Sequence, residues 1–366
     1  LSLKNVNLTL RNTPNFHSLR MMFHIDIAPH TLHFKQPAGT SRGVYRTRKT
    51  WLVKLSSPQK PGVVGMGECA PLPNLSCDDL PNYEQCLRQA CQRFCETGVI
   101  NHDELSPYPS IHFGLETALW QWQRDGHANL SQTPFARGEM GIPINGLVWM
   151  GTFEEMAMRI EEKLNQGFRC VKLKIGAIDF DRELQLLKDI RATFSPRQVE
   201  LRVDANGAFA PAEALSKLEK LAALDLHSIE QPIAKGLWNE MADLCKRSPL
   251  PIALDEELIG TNTLVDKEEL LDTIAPQYLV LKPSLHGGIR GTSEWISLAE
   301  DRKIGSWITS ALESNVGLNA IAHLAAEVYG PQIAMPQGLG TGQLFTDNID
   351  MPLQIKGDCL WFLPNS

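Results

Sequence analysis

Six ionisable residues stand at the ends of short apolar runs: Lys172 and Lys174 in VKLKIG, Asp204 in LRVDANG, Glu230 in SIEQP, Asp255 in IALDEE and Lys282 in LVLKPS. Asp204, Glu230 and Asp255 are all oxygen donors, and no His or Cys holds an equivalent place among them. Hard ligands of this kind favour Mg2+, with Mn2+ as a substitute, over zinc. Three carboxylates leave room in an octahedral shell for water and a substrate carboxylate, so the metal would act as a Lewis acid when a proton α to that carboxylate is removed. The lysines are candidates for moving that proton. An ordinary lysine has a pKa of ~10.4, but a neighbouring cation, whether a second lysine or Mg2+, disfavours the charged form and makes the amine a usable base.

The intervals place these charges together. The differences 204 − 174, 230 − 204, 255 − 230 and 282 − 255 are 30, 26, 25 and 27 residues, close to one strand, one helix and two short loops. In a closed (β/α)8 barrel the C-terminal strand ends converge on one mouth, so residues one unit apart in sequence become neighbours. Lys172 and Lys174, two apart, share a strand face, and Lys282 comes four strands later, nearly opposite in an eight-membered ring. One Asp or Lys at a strand end, taken alone, reads as a solvated loop residue. Six at this period do not, because buried charges are costly unless a metal and an anionic ligand sit among them.

The elements that must position them are legible from patterning. Residues 21–34 and 44–55 read as a hairpin joined by KQPAGTSRGVYRTR. The Gly- and Pro-rich GVVGMGECAPLPNLS ends it, and helical patterns follow over about 82–95 and 111–124. From Ile142 strand and helix alternate. PINGLVW precedes Thr152 and Glu155, a capping box whose helix ends near Gly167. Pro211 opens a helix with Leu215, Leu218, Ala222 and Leu224 roughly on one face. Eight strands can be placed between Ile142 and about Leu344. The expectation is an α/β protein: a TIM-like (β/α)8-type barrel over residues 136–344, an α+β capping domain over 1–135, and a C-terminal tail, 345–366, that returns to complete the cap.

Composition sets the outer bounds. With 43% hydrophobic and 21% charged residues, the 366-residue chain has the make-up of a globular protein with a large core. A net charge of −7 argues against nucleic acid or an anionic membrane as partner. No apolar run reaches ~18 residues, and the opening LSLKNVNLTLRN lacks a signal-peptide pattern. The expectation is a cytoplasmic enzyme, with its oligomeric state open. Eight cysteines without CxxC or Cys/His metal spacing read as reduced, structural thiols.

In combination, KLK, DANG, IEQP, DE and the KP strand resemble the enolase superfamily, and within it the muconate-lactonizing subgroup. GMGECAPLP is similar to that subgroup's capping domain. The resemblance implies that Asp204, Glu230 and Asp255 are the metal ligands, Lys174 the base, Lys172 the lysine that supports it and Lys282 the opposite lysine. It gives Asn206 and Glu256 supporting places beside the ligands. A His at the end of the sixth or seventh strand would mark the mandelate racemase branch; Lys282 and Ser310 stand there instead, and His286 and His323 read as structural. Three activities compete in the subgroup: o-succinylbenzoate synthesis, N-succinylamino acid racemisation and dipeptide epimerisation. The epimerases carry a DxD pair near the eighth strand, where this chain has QGLGTG, which disfavours a cationic substrate end. PAGTSRG and TSALESNVGLNAIAHLA are similar to o-succinylbenzoate synthases. Arg202 matches an Arg of some members, and otherwise reads as a salt-bridged barrel residue. The implied reaction is Mg2+-dependent syn elimination of water from a small-molecule carboxylate, a succinyl-bearing hydroxycyclohexadiene, in menaquinone or phylloquinone synthesis. Its tail would meet Gly39, Thr40, Ser41, Arg42 and Gly43 of the hairpin, and Ser310, Glu313, Ser314 and Asn315. The alternatives are a racemase with the same two lysines and a non-catalytic barrel that only binds a carboxylate.

Overall fold

A long hairpin, β1 (His24–Thr40) and β2 (Gly43–Ser56), whose register slips between His33 and Ala38, pairs with β3 (Val64–Cys69) in an antiparallel sheet. The computed structural model describes residues 22–40, 43–149, 152–176 and 179–364. Helices α1 (Tyr83–Thr97), α2 (His102–Leu105) and α3 (Pro109–Gln123) follow the sheet. α3 is apolar on most sides because it is covered on most sides. Leu115, Ala118 and Trp122 join the core of the cap, while Phe113 and Trp120 join that of the barrel. Sheet and helix cross so closely that a Cβ on Gly67 would fall 1.9 Å from the carbonyl oxygen of Gly114. The glycines of GMGEC mark that crossing.

After β4 (Ile142–Pro143) and β5 (Gly146–Val148) come α4 (Phe153–Asn165), β6 (Cys170–Lys174), α5 (Phe180–Thr193), β7 (Glu200–Asp204), α6 (Pro211–Ala222) and β8 (Ser228–Glu230). They are followed by α7 (Trp238–Arg247), β9 (Ile252–Leu254), α8 (Leu264–Ile274), β10 (Tyr278–Leu281), α9 (Gly288–Asp301), β11 (Gly305–Ile308) and α10 (Asn315–Tyr329). The Thr152/Glu155 capping box forms at α4, and Pro211 is the first residue of α6. In α6, Ala214, Leu218 and Leu221 are fully buried, with Leu215 and Ala222 packed at the edge of the core; Leu224, expected in the same helix, packs there from two residues past its end.

Strands β5 to β11 form one parallel sheet in sequence order, wrapped by the helices. The expected eighth strand is reduced to two residues. Gln337 donates to the Pro143 carbonyl and accepts from the Asn145 N–H, while Gly338 donates to Ile308 and accepts from Ser310. These bonds close the ring. The ladder goes no further: Pro336 has no N–H to give, and the glycines of QGLGTG present no side chain to pack.

The tail divides between cap and barrel. Phe345 bridges Phe34, and Asp347 accepts from the His33 N–H, so the start of the tail does touch β1. However, β12 (Leu353–Lys356) and β13 (Cys359–Phe362) pair with β4 instead of with the cap. Leu360 and Phe362 alternate into the barrel core, and burying that face draws the hairpin there. All eight cysteines are free, and no helix among the described residues is long and apolar enough to cross a membrane.

Buried charge joins cap to barrel. Arg48, 1% exposed, donates to the carbonyls of Ala70 at 2.6 Å, Pro71 at 2.5 Å and Leu312 at 3.2 Å. Glu68 accepts from Ser314 and Gly317 at the start of α10. Arg48→Met is expected to destabilise the fold by about 3 kcal/mol because it strands buried carbonyls, and a urea melt showing a loss under about 1 kcal/mol would rule the clamp out.

Candidate active site

The parallel register sets Lys174 beside Asp204 and Asp204 beside Glu230, and Asp255 and Lys282 directly follow β9 and β10. Lys172 donates to Glu230 Oε2 at 2.5 Å and lies 2.9 Å from Asp204 Oδ2. Lys174 donates to the same Asp204 oxygen at 2.7 Å and to Asn206 Oδ1 at 2.8 Å. Lys282 donates to the carboxylate of Asp255. Asn206, at φ 44°, donates its N–H to Asp204 Oδ1 at 3.0 Å and its Nδ2 to Glu256 Oε1 at 2.9 Å. The structure therefore gathers the six charges, with Asn206 and Glu256, into one connected cluster.

Four carboxylates face three lysines in this cluster. Burial raises Glu230 well above the usual carboxylate range, and the charge of Asp204 adds to the effect. Burial, then Asp255, likewise raises Glu256. Burial alone would also raise Asp204 and Asp255, but Lys172 and Lys174 hold the first low and Lys282 the second. Burial alone would lower Lys172 and Lys282; the carboxylates around them outweigh it and raise both. The nearest charges to these two lysines are carboxylates, which favour the ammonium form of each. Glu230 Oε1 and Glu256 Oε2 are buried without a hydrogen-bond partner. Unpaired oxygens in an all-oxygen donor set fit a hard divalent cation.

Residues 155–361 match the family described as Enolase C-terminal domain-like. The chain belongs to the enolase superfamily. Residues 35–122 also match the N-terminal domain of MenC. The o-succinylbenzoate synthase of Desulfotalea psychrophila is 45% identical over 366 residues, covering 90% of this chain and 96% of that protein. The crystal structure of MenC from the same organism superposes with a TM-score of 0.81 at 40% identity, over 94% of this chain and 100% of that one. A dipeptide epimerase from Cytophaga hutchinsonii, solved with Mg and the dipeptide D-Ala-L-Val, has a TM-score of 0.78 at 19% identity over 94% of each chain, a likeness of fold.

In this member of the enolase superfamily the charged cluster opens into a cavity of about 170 Å3. Its apolar wall includes Tyr45, Leu72, Trp149, Trp307 and Leu312, none of which spacing alone singled out. Trp307 carried a faint signal, since it lies two residues before Thr309 on the inward face of the β11 end. Gln231 was visible in IEQP but not singled out; its Oε1 accepts from the Asp255 and Glu257 N–H groups and so shapes the turn after β9. His286 is buried as expected of a structural residue, and its Nδ1 accepts from the Lys282 N–H at 2.9 Å.

The residues expected around a substrate tail divide. Ser310 lines the cavity. Glu313 turns away, accepting from Ser284, Ser310 and the Ala311 N–H; Ser314 donates to Glu68 and caps α10; Asn315 bonds Asn348 and Ile349. These three hold the loop in place instead of facing the cavity, because a helix start against the cap needs its polar groups satisfied. In the hairpin, Gly39 pairs with Val44 and Thr40 with Gly43, and the neighbouring Tyr45 lines the cavity. Ser41 and Arg42 lie outside the described residues. Arg202, 1% exposed, donates to Glu200 at 2.7 Å and to the Pro336 carbonyl at 2.9 Å and stacks 4.5 Å from the Trp307 ring, the contacts of a salt-bridged barrel residue.

Proposed function

We propose that this chain carries out the reaction of an o-succinylbenzoate synthase, the syn elimination of water from a succinyl-bearing hydroxycyclohexadiene carboxylate. The observation that carries the reading is the 45% identity to a synthase of that name across nearly the full length of both chains. Lys174, as the neutral amine, takes the proton α to the carboxylate, and the C–H electron pair moves into the carboxylate as an enediolate. Lys174 then returns its proton to the departing hydroxyl on the same face. The C–O bond breaks, water leaves and the ring becomes aromatic. Asp204 Oδ2 and Asn206 Oδ1 fix the Lys174 nitrogen for both transfers. Lys282, kept protonated by Asp255, stabilises the growing charge from the opposite side. Asp204, Glu230 and Asp255 would hold Mg2+, or Mn2+ in its place, and the bound ion would supply Lewis-acid stabilisation of the carboxylate's second negative charge.

In this reading the product enters menaquinone or phylloquinone synthesis in the cytoplasm. The test is turnover of the cyclohexadiene with Mg2+, followed by loss of its ultraviolet absorbance, beside an assay of N-succinyl amino acid racemisation. Fast dehydration with slow racemisation supports the synthase. The reverse would keep the residue roles and overturn the substrate, while Mg2+ binding without any turnover would favour a carboxylate-binding barrel. Mg2+ at ~100 times its Kd is expected to stabilise the fold by about 2.7 kcal/mol, and Glu230→Gln to remove most of that gain. Thermal melts that do not respond to the ion in the parent would take the cation out of this site.

A further inference from the structure

Three side chains of the cap converge where α2 meets α3, and the reaction uses none of them. His112 and Glu116 are one turn apart on α3, and His102 opens α2. His102 Nδ1 lies 2.6 Å from His112 Nε2, and Glu116 Oε1 lies 3.3 Å from His112 Nε2 and 4.0 Å from His102 Nδ1. The three ligand atoms all fall within 4.8 Å of one another. Four-coordinate zinc, with bonds of ~2.0–2.1 Å, sets its ligand atoms ~3.3 Å apart. The three distances bracket that edge. Two imidazoles and one carboxylate are donors that suit zinc and its neighbours in the transition series, in contrast to the all-oxygen set at the strand ends.

We propose that His102, His112 and Glu116 form a binding site for a divalent transition-metal ion of the zinc class, with water completing its shell. Exposure fits this arrangement. His112 and Glu116 are buried, whereas the His102 side chain is 30% exposed, so the site opens to solvent on one side only. The buried Glu116 carboxylate has no lysine or arginine partner among the described residues; it accepts from the N–H groups of Ile289 and Arg290 in the first turn of α9. A carboxylate served by amides and rings alone gains from a bound cation. His112 Nδ1 has no hydrogen-bond partner, so the ring is oriented only from its Nε2 side, which faces the other two donors. Because Glu116 also holds the start of α9, the ion would tie α2 and α3 of the cap to the barrel.

The test uses the full chain in saturating Mg2+, dialysed against Zn2+, with metal content measured per chain. One zinc is expected in the parent and in Asp204→Asn, and zinc binding at least about tenfold weaker in His102→Gln, whose circular dichroism matches the parent's. Zn2+ is also expected to raise the Tm of the parent and not that of His102→Gln. No zinc retained by the parent, equal zinc in parent and His102→Gln, or zinc lost in Asp204→Asn yet kept in His102→Gln would each overturn the site.

Discussion

Lys174→Ala is expected to lower dehydration by at least about 100-fold and up to ~10,000-fold, the range of a positioned proton-transfer group. The same lysine serves both halves of the elimination, so its loss removes the base of the first step and the acid of the second. The fold should survive. Asp204, the carboxylate left behind, still has Lys172 at 2.9 Å, so no buried charge is stranded. The measurement is turnover at saturating Mg2+ with circular dichroism as the control. A folded variant keeping more than about a hundredth of the parent's activity would remove Lys174 from its role. Substrate affinity need change little, because Lys282 and the cavity wall remain.

Much of this site was legible because a barrel converts period into proximity. Lys174, Asp204 and Glu230 needed only the in-register pairing of adjacent parallel strands to meet. What spacing could not give is contact between distant segments. Arg46 and Arg48 fall on the same face of β2 by the period of two, yet only Arg48 is buried, since only it reaches the carbonyls of residues 70, 71 and 312. Ser314 and Asn315 look like ligand-binding groups in sequence, and their work against Glu68 and Asn348 depends on where the cap and tail come to rest. The tail divides between cap and barrel for a related reason: alternation in CLWF announces a buried strand face but not which sheet receives it. The eighth strand was counted where glycines and Pro336 leave room for only two residues of pairing.

Acid stability is expected to turn on a histidine far from the chemistry. His323 in α10 is fully buried, bonds Ser131 Oγ at 2.9 Å, and sits against the rings of Phe135 and Phe362. Burial, with Arg124 adding to it, pushes its pKa down to about 3 from 6.5. A depressed folded pKa means that the unfolded chain takes up the proton first. The stability is therefore complete above pH 6.5 and is lost as pH falls toward 3, at about 1.4 kcal/mol per unit. Over that window the loss from His323 reaches about 5 kcal/mol. Burial raises Asp78 and Glu327 to about 6, and these carboxylates act in the opposite sense, gaining stability as pH falls through that value. Comparing parent with His323→Gln cancels what the two proteins share. Urea melts at pH 6.5 and 4.5 are expected to show the parent losing about 2.3 kcal/mol more than the variant between the two. Equal losses in the two proteins would mean that the ring takes its proton inside the fold, and that the packing of α10 against residues 131–135 and β13 opens without unfolding.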